Sequence, residues 1–202
     1  MSATVAAIVL AAGGAARFGS PKALACFRGK TLVRATVDCA VAAGCAPVLV
    51  VVGDAGPAIE REIRPAGAAV VANPEWATGP GSSIRTGVEH ALRTASGTAP
   101  AGFLLLACDQ PLLGPEIIRS LLDAFDGSPG RMVAAAYAGT VGVPALFEAS
   151  LGADLLALPP GCGAKALLAR DSGRLVRVPW AGGAEDVDRP EDLARLEARY
   201  PL

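Results

Sequence analysis

The stretch Val5-Ala6-Ala7-Ile8-Val9-Leu10-Ala11-Ala12-Gly13-Gly14-Ala15-Ala16-Arg17-Phe18-Gly19-Ser20-Pro21-Lys22 decides the fold. Its first part, Val5 to Ala11, is an uninterrupted apolar run, as expected of a parallel strand buried on both faces. Gly13 and Gly14 end it. Glycine carries no Cβ, so the backbone there can approach a ligand closely, and the cations that follow, Arg17 and Lys22, can clamp a polyphosphate. The loop is not a Walker P-loop: Gly14 and Gly19 have the spacing, but Ser20 and Pro21 stand where Lys and Ser or Thr are needed. It does not fit G-x-G-x-x-G either.

Working outward, apolar runs and helical periodicity alternate. A helix is expected from Leu32 to Ala43, stopped by Gly44, then a strand Val48 to Val52 opened by Pro47, a short helix over Ile59 to Ile63 and a strand Ala68 to Val71. Ser82 or Ser83 can N-cap a helix carrying Ile84, Val88 and Leu92. Phe103 to Ala107 is the next strand, ending at Asp109, and Gly114-Pro115 starts a helix with Ile117, Ile118, Leu121, Leu122 and Phe125 on one face. Met132 to Tyr137 is a fifth strand. Beyond it, Gly139, Gly142, Pro144, Pro159, Pro160, Gly161 and Gly163 break the pattern. Leu175 to Val178 reads as a late strand and Pro190 to Arg199 as a terminal helix begun by Asp188-x-x-Glu191. The implied architecture is a three-layer α/β sandwich with ligands at the carboxyl ends of the strands.

Composition narrows the function. The 202 residues suit one domain at about 150 residues per domain, and no repeat or linker divides positions 1–202. Eighteen Lys and Arg against 19 Asp and Glu leave a charge of -1, which gives no field toward nucleic acid or an anionic membrane. Aromatic residues, at 4%, are too few for base-stacking platforms. No apolar run nears the roughly 18 residues of a membrane span. Val5 to Ala12 imitates a signal-peptide core, but no basic residue precedes it. The cysteines Cys26, Cys39, Cys45, Cys108 and Cys162 are odd in number and lack C-x-x-C, so neither a disulfide framework nor a zinc site is encoded. A cytoplasmic setting fits.

The opening loop resembles the L-A-A-G-x-x-x-R-x-G-x-x-K signature of the MobA-like nucleotidyltransferases, and in particular the molybdenum cofactor cytidylyltransferases. Further landmarks follow in order. Asn73-Pro74-Glu75-Trp76-Ala77-Thr78-Gly79 with Ser82-Ser83-Ile84-Arg85-Thr86-Gly87 is similar to N-P-x-W-x-x-G and S-[LI]-R-x-G. Asp109-Gln110-Pro111-Leu112 resembles D-Q-P-L, Gly142 to Phe147 resembles G-x-P-x-x-F, and Asp186 to Leu193 resembles D-[IV]-D-x-P-E-D-L. Two positions depart: Val143 stands where His is frequent, and Gly161 where an acidic residue is frequent. Both fall in the half expected to hold the acceptor.

The resemblance implies a Rossmann-like nucleotidyltransferase fold with a mostly parallel sheet. It also implies Mg²⁺-dependent transfer of CMP from CTP to molybdopterin cofactor, with release of pyrophosphate. Leu10, Ala11, Ala12, Gly13, Gly14, Arg17, Lys22, Ser83 and Arg85 would bind the nucleotide, Arg17, Lys22 and Asp109 would act in catalysis, and Asp109 with Asp188 would hold the metal. An Asp at a strand's carboxyl end is a hard oxygen ligand suited to Mg²⁺ bridging phosphates. Asp186 is the rival to Asp188, which can also cap the terminal helix. A recipient molybdoenzyme or its chaperone is an expected partner. Transfer to another phosphorylated acceptor, use of GTP, and a non-catalytic cofactor carrier are the alternatives. His90, the only histidine, reads as a helix-surface residue, and Cys108 as a buried strand end.

Overall fold

The computed structural model describes residues 4–13, 18–95 and 99–201. Its strands are β1 (Val5–Leu10), β2 (Cys26–Phe27), β3 (Lys30–Thr31), β4 (Val48–Val52), β5 (Ala69–Ala72), β6 (Gly102–Ala107), β7 (Met132–Tyr137), β8 (Thr140–Glu148) and β9 (Leu175–Pro179). The helices are α1 (Leu32–Ala42), α2 (Gly56–Ile63), α3 (Pro80–Thr94), α4 (Pro115–Asp123), α5 (Gly152–Leu156), α6 (Lys165–Arg170) and α7 (Pro190–Arg199). One sheet runs in the order β5-β4-β1-β6-β8-β7-β9, and β2-β3 is a separate ribbon. Only β8 opposes its neighbours in the large sheet; the other pairs, β1 with β4 and β6, β4 with β5 and β7 with β9, are parallel.

The alternation of side chains along each strand makes the three layers. Val5, Ala7 and Val9 share a core with Val33 and Val37 of α1, Ile59 and Ile63 of α2, and Ile117, Ile118 and Leu121 of α4. Ala6 and Ile8 face the opposite core, with Ile84, Val88 and Ala91 of α3, Leu155 of α5 and Leu167 and Leu168 of α6. Helix α3 lies close over β1 because residue 87 is glycine: a Cβ there would clash with Ile8 Cγ2. A third cluster, Phe27, Leu32, Val187 and Leu196, ties the β2-β3 ribbon to α7.

The structure corrects three expectations. The Gly- and Pro-broken stretch after β7 contains β8, reached through Ala138 (φ 47) and Gly139 (φ 74). Two successive positive φ values make the two-residue turn whose twist suits a hairpin. Pro144 is accommodated where the β7-β8 register shifts, between Ala134 and Ala135. Helix α3 begins at Pro80 with Gly79 as N-cap, so Ser82 and Ser83 sit inside its first turn and do not cap it. Helix α7 is entered through Arg189, and it is Asp192, not Glu191, that accepts from the amides of Asp188 and Arg189, both at 2.9 Å. The Asp188 carboxylate is thereby left free of capping.

Candidate active site

Because β1, β4 and β6 are parallel, their carboxyl ends share one edge of the sheet. Leu10 pairs with Ala107, so the loop leaving β1 and the segment Cys108-Asp109 emerge side by side. Lys22 enters from a 3-10 turn, Lys22–Leu24, anchored by the buried Ala23. The third segment is fixed by the backbone: Val187 N-H donates to Asp109 C=O at 2.9 Å. Val187 is buried in the ribbon cluster, which holds its neighbours Asp186 and Asp188 at the site.

Lys22 Nζ donates to Asp109 Oδ2 at 2.7 Å and to Asp188 Oδ1 at 3.3 Å. Burial alone would lower the Lys22 pKa, but Asp109 and then Asp188 outweigh it and the net shift is upward from 10.5. Asp186 is pushed up, first by burial and then by the charge of Asp109, with Asp188 adding to it and a Gln110 hydrogen bond and Lys22 opposing. Three carboxylates and one ammonium therefore crowd one strand edge. Among the described residues no group of three His, Cys, Asp or Glu side chains converges as a metal cluster. A pair of carboxylates fits Mg²⁺ when substrate phosphates and water complete its shell, and Asp109 with Asp188 is such a pair, already turned toward one cation.

Beside this cluster a cleft of about 400 Å³ is lined by Leu10, Ala12, Gly13, Trp76, Ser83 and Asp109, among others. A smaller recess of about 110 Å³ continues between Ala11 to Gly13, Lys22 and the turn Gly53-Asp54-Ala55. Buried Asn73 donates to the hydroxyls of both Ser82 and Ser83 at 3.0 Å. Ser82 Oγ donates back to Gly79 C=O at 2.8 Å, whereas the Ser83 hydroxyl proton has no acceptor among the described residues and is available to the cleft. Trp76, whose ring lies against Gly53 and whose Nε1 donates to Asp54 Oδ1 at 3.2 Å, divides the two spaces. Its place in the N-P-x-W segment is the signal that sequence offers for it.

Of the residues expected from sequence, Leu10, Ala11, Ala12, Gly13, Lys22, Ser83, Asp109 and Asp188 meet at this edge. Gly14 and Arg17 lie outside the described residues. Arg85 is engaged elsewhere, donating to Leu158 C=O at 3.3 Å and pairing with Glu75 at 3.4 Å, so it braces α3 against the 157–163 segment and does not line the cleft. His90 meets Arg93 on the outer side of α3. Burial and the adjacent Asp109 push the Cys108 thiol up to about 12, which removes it as a nucleophile near neutral pH.

Residues 7–176 match the model of the MobA-like NTP transferase domain. The chain belongs to this family. As a MobA-like nucleotidyltransferase it is similar, at 30% identity over 95% of its length and 96% of the relative's, to nicotine blue oxidoreductase of Paenarthrobacter nicotinovorans. It is 32% identical to phosphoenolpyruvate guanylyltransferase of Rubrobacter xylanophilus over 83% of this chain and 78% of that one. Among solved structures, Rv0371c of Mycobacterium tuberculosis superposes with a TM-score of 0.81 at 26% identity, covering 97% of this chain and 98% of that one. The same protein has also been solved as a manganese complex, with a TM-score of 0.75 and coverage of 98% and 100%. No helix among the described residues is long and apolar enough to cross a membrane.

Proposed function

We propose that this MobA-like nucleotidyltransferase transfers CMP from CTP to the terminal phosphate of molybdopterin cofactor, releasing pyrophosphate and forming the cytosine dinucleotide. The observation that carries the reading is Lys22 held between Asp109 and Asp188 at the mouth of a glycine-lined cleft. An acceptor phosphate oxygen attacks the α-phosphorus, a new P-O bond forms, and the bond to pyrophosphate breaks in line. The attacking phosphate is already ionised near neutral pH, so the protein supplies position and charge rather than a base. The Ala11 to Gly14 backbone and the Ser83 hydroxyl receive the nucleotide, and Arg17 holds the departing phosphates. Lys22, on its flexible stem, turns from the carboxylates to the charge building on the α-phosphate. Asp109 and Asp188 would hold Mg²⁺, which would neutralise phosphate charge; the manganese complex of Rv0371c supports a divalent cation in this setting. The whole of positions 1–202 serves as one such domain.

The similarity to nicotine blue oxidoreductase favours one second reading, a redox reaction on a small molecule on the same scaffold. A pyrophosphate-release assay across the four ribonucleoside triphosphates, with and without molybdopterin cofactor, separates the readings. Release with CTP that requires the acceptor supports the proposal. Release only with another phosphorylated acceptor, or with GTP, overturns the substrate assignment. Binding of nucleotide and cofactor without release would indicate a carrier, and oxidation of a reduced nicotinamide dinucleotide without release would favour the redox reading.

A further inference from the structure

Gln110 follows Asp109 directly and is only 3% exposed. It lines neither the nucleotide cleft nor the recess beside it. Its amide nitrogen donates to Val143 C=O of β8 at 3.1 Å and reaches Gly183 C=O at 3.5 Å. These two carbonyls fix which way the amide is turned, and Oε1 is left buried with no partner. A buried acceptor left unpaired is costly. The Val143 carbonyl does not depend on the amide either, because the Tyr137 hydroxyl also donates to it, at 3.3 Å. For the fold alone, an apolar side chain of the same length would serve as well. What the amide adds is its reach to Gly183.

Gly183 lies in the segment 180–188, between β9 and α7, which carries Asp186 and Asp188. The backbone ties this segment down near both ends: Trp180 N-H donates to Ala136 C=O and Val187 N-H to Asp109 C=O, each at 2.9 Å. Between those ties Gly183 packs so closely on the Tyr137 ring that a Cβ there would clash, and Tyr137 meets Trp180 edge-on with ring centres 6.3 Å apart. The Gln110 amide joins this middle part to the end of β6. A hydrogen bond from Gln110 also offsets part of the upward push that burial, and then Asp109, exert on the Asp186 pKa. The dipeptide Asp109-Gln110 therefore supplies one carboxylate and grips the segment that supplies the other.

We propose that Gln110 is a positioning residue for the divalent cation: it sets the separation of Asp109 and Asp188 by holding the 180–188 segment against the end of β6. The inference rests on the reading of these two carboxylates as the metal pair. Side chains that orient metal ligands typically account for about 10- to 100-fold in metal affinity. Gln110 acts through the carboxylates and not on the nucleotide.

The test measures Mn²⁺ binding to the full chain by electron paramagnetic resonance with CTP present and no acceptor, the signal of Mn²⁺ with CTP in buffer being subtracted. Wild type is compared with Gln110→Met, which keeps an unbranched side chain of similar length and removes both the amide and its orphaned oxygen. Mn²⁺ should bind the variant about 10- to 100-fold more weakly, while Tm is unchanged. In a pyrophosphate-release assay the Mg²⁺ concentration for half-maximal rate should rise by a similar factor, with kcat restored at saturating Mg²⁺. Gln110→Asn, the same amide one methylene shorter, should show the same weakening because it falls short of Gly183. Equal Mn²⁺ affinity in wild type and variants overturns the role of Gln110 and leaves the metal pair standing. A fall in Tm, or a failure to fold, in both variants gives Gln110 a structural role and overturns the positioning one. If wild type binds no Mn²⁺ in the presence of CTP, the metal pair itself fails and the role of Gln110 falls with it.

Discussion

Replacing Lys22 by Met keeps an unbranched chain of similar length and removes only the charge. The lost contacts are the 2.7 Å bond to Asp109 and the 3.3 Å bond to Asp188. Asp188 is 61% exposed and its share is screened by water, whereas Asp109 is 30% exposed and Lys22 17%, so the first contact dominates. Together they contribute about 1 kcal/mol, which in a chain of this size is a fall of about 2–4 °C in Tm. The kinetic effect is larger: removing one preorganised charge from a transition state costs about 10²- to 10³-fold in kcat. The pH dependence follows from the raised Lys22 pKa. A base whose folded pKa is raised stabilises fully below its unfolded value of 10.5 and loses that contribution as pH rises through the higher folded value. The stability gap between wild type and Lys22→Met should therefore be flat from neutrality to 10.5 and close above it. Calorimetry across pH and single-turnover kinetics read both effects. A Tm loss several times larger, or unchanged kcat in a folded variant, would refute the assignment of Lys22 to the reaction.

Other expected outcomes follow from particular contacts. Asp109→Asn should keep the fold and lose turnover at ordinary Mg²⁺ concentrations, because an amide is a neutral and weaker ligand; circular dichroism and a rate assay check both halves. Asp188→Asn should slow turnover without thermal cost, whereas Asp192→Ala, which removes the side chain that caps α7, should cost about 1 kcal/mol with little effect on rate. Gly87→Ala should destabilise by about 1–3 kcal/mol, since its methyl would stand against Ile8 and force α3 off β1; denaturant titration measures it. Ala12→Gly should erode a CTP over GTP preference of about tenfold or more in kcat/KM, because Ala12 lines the cleft and, on the proposed reading, its methyl narrows the space beside the base. A wild-type preference for GTP would contradict that reasoning.

The parallel half of the sheet was legible because strands buried on both faces are written as apolar runs: Val5–Leu10 and Val48–Val52 fall where the runs do. Strand β8 was not, since Gly142 and Pro144 look like punctuation until the turn at Ala138-Gly139 is read as a hairpin. The ribbon β2-β3 turns on Arg28 (φ 50) and Gly29 (φ 78) in the same way, and its strands are too short for any period to show. At α3, two serines suggested a cap, but Pro80 at the first helical position was the stronger signal. At α7, an acidic residue stood at each candidate capping position, and only the backbone path shows that Asp192 does the work. The site itself joins Lys22 to Asp109 and Asp188 across 87 and 166 positions. No local pattern encodes such a pairing; the resemblance across five landmarks points to the residues but not to their contact. Trp76 and Gln110 matter through what they touch, which sequence does not display.

The most direct measurement of the central claim follows the phosphorus. CTP radiolabelled at the α-phosphate is incubated with the full chain, Mg²⁺ and molybdopterin cofactor, and label and pyrophosphate are counted together. Label should move to the pterin with one pyrophosphate released per transfer, and Asp109→Asn should abolish both. Label that stays on CTP, or transfer that proceeds undiminished in Asp109→Asn, would contradict the claim.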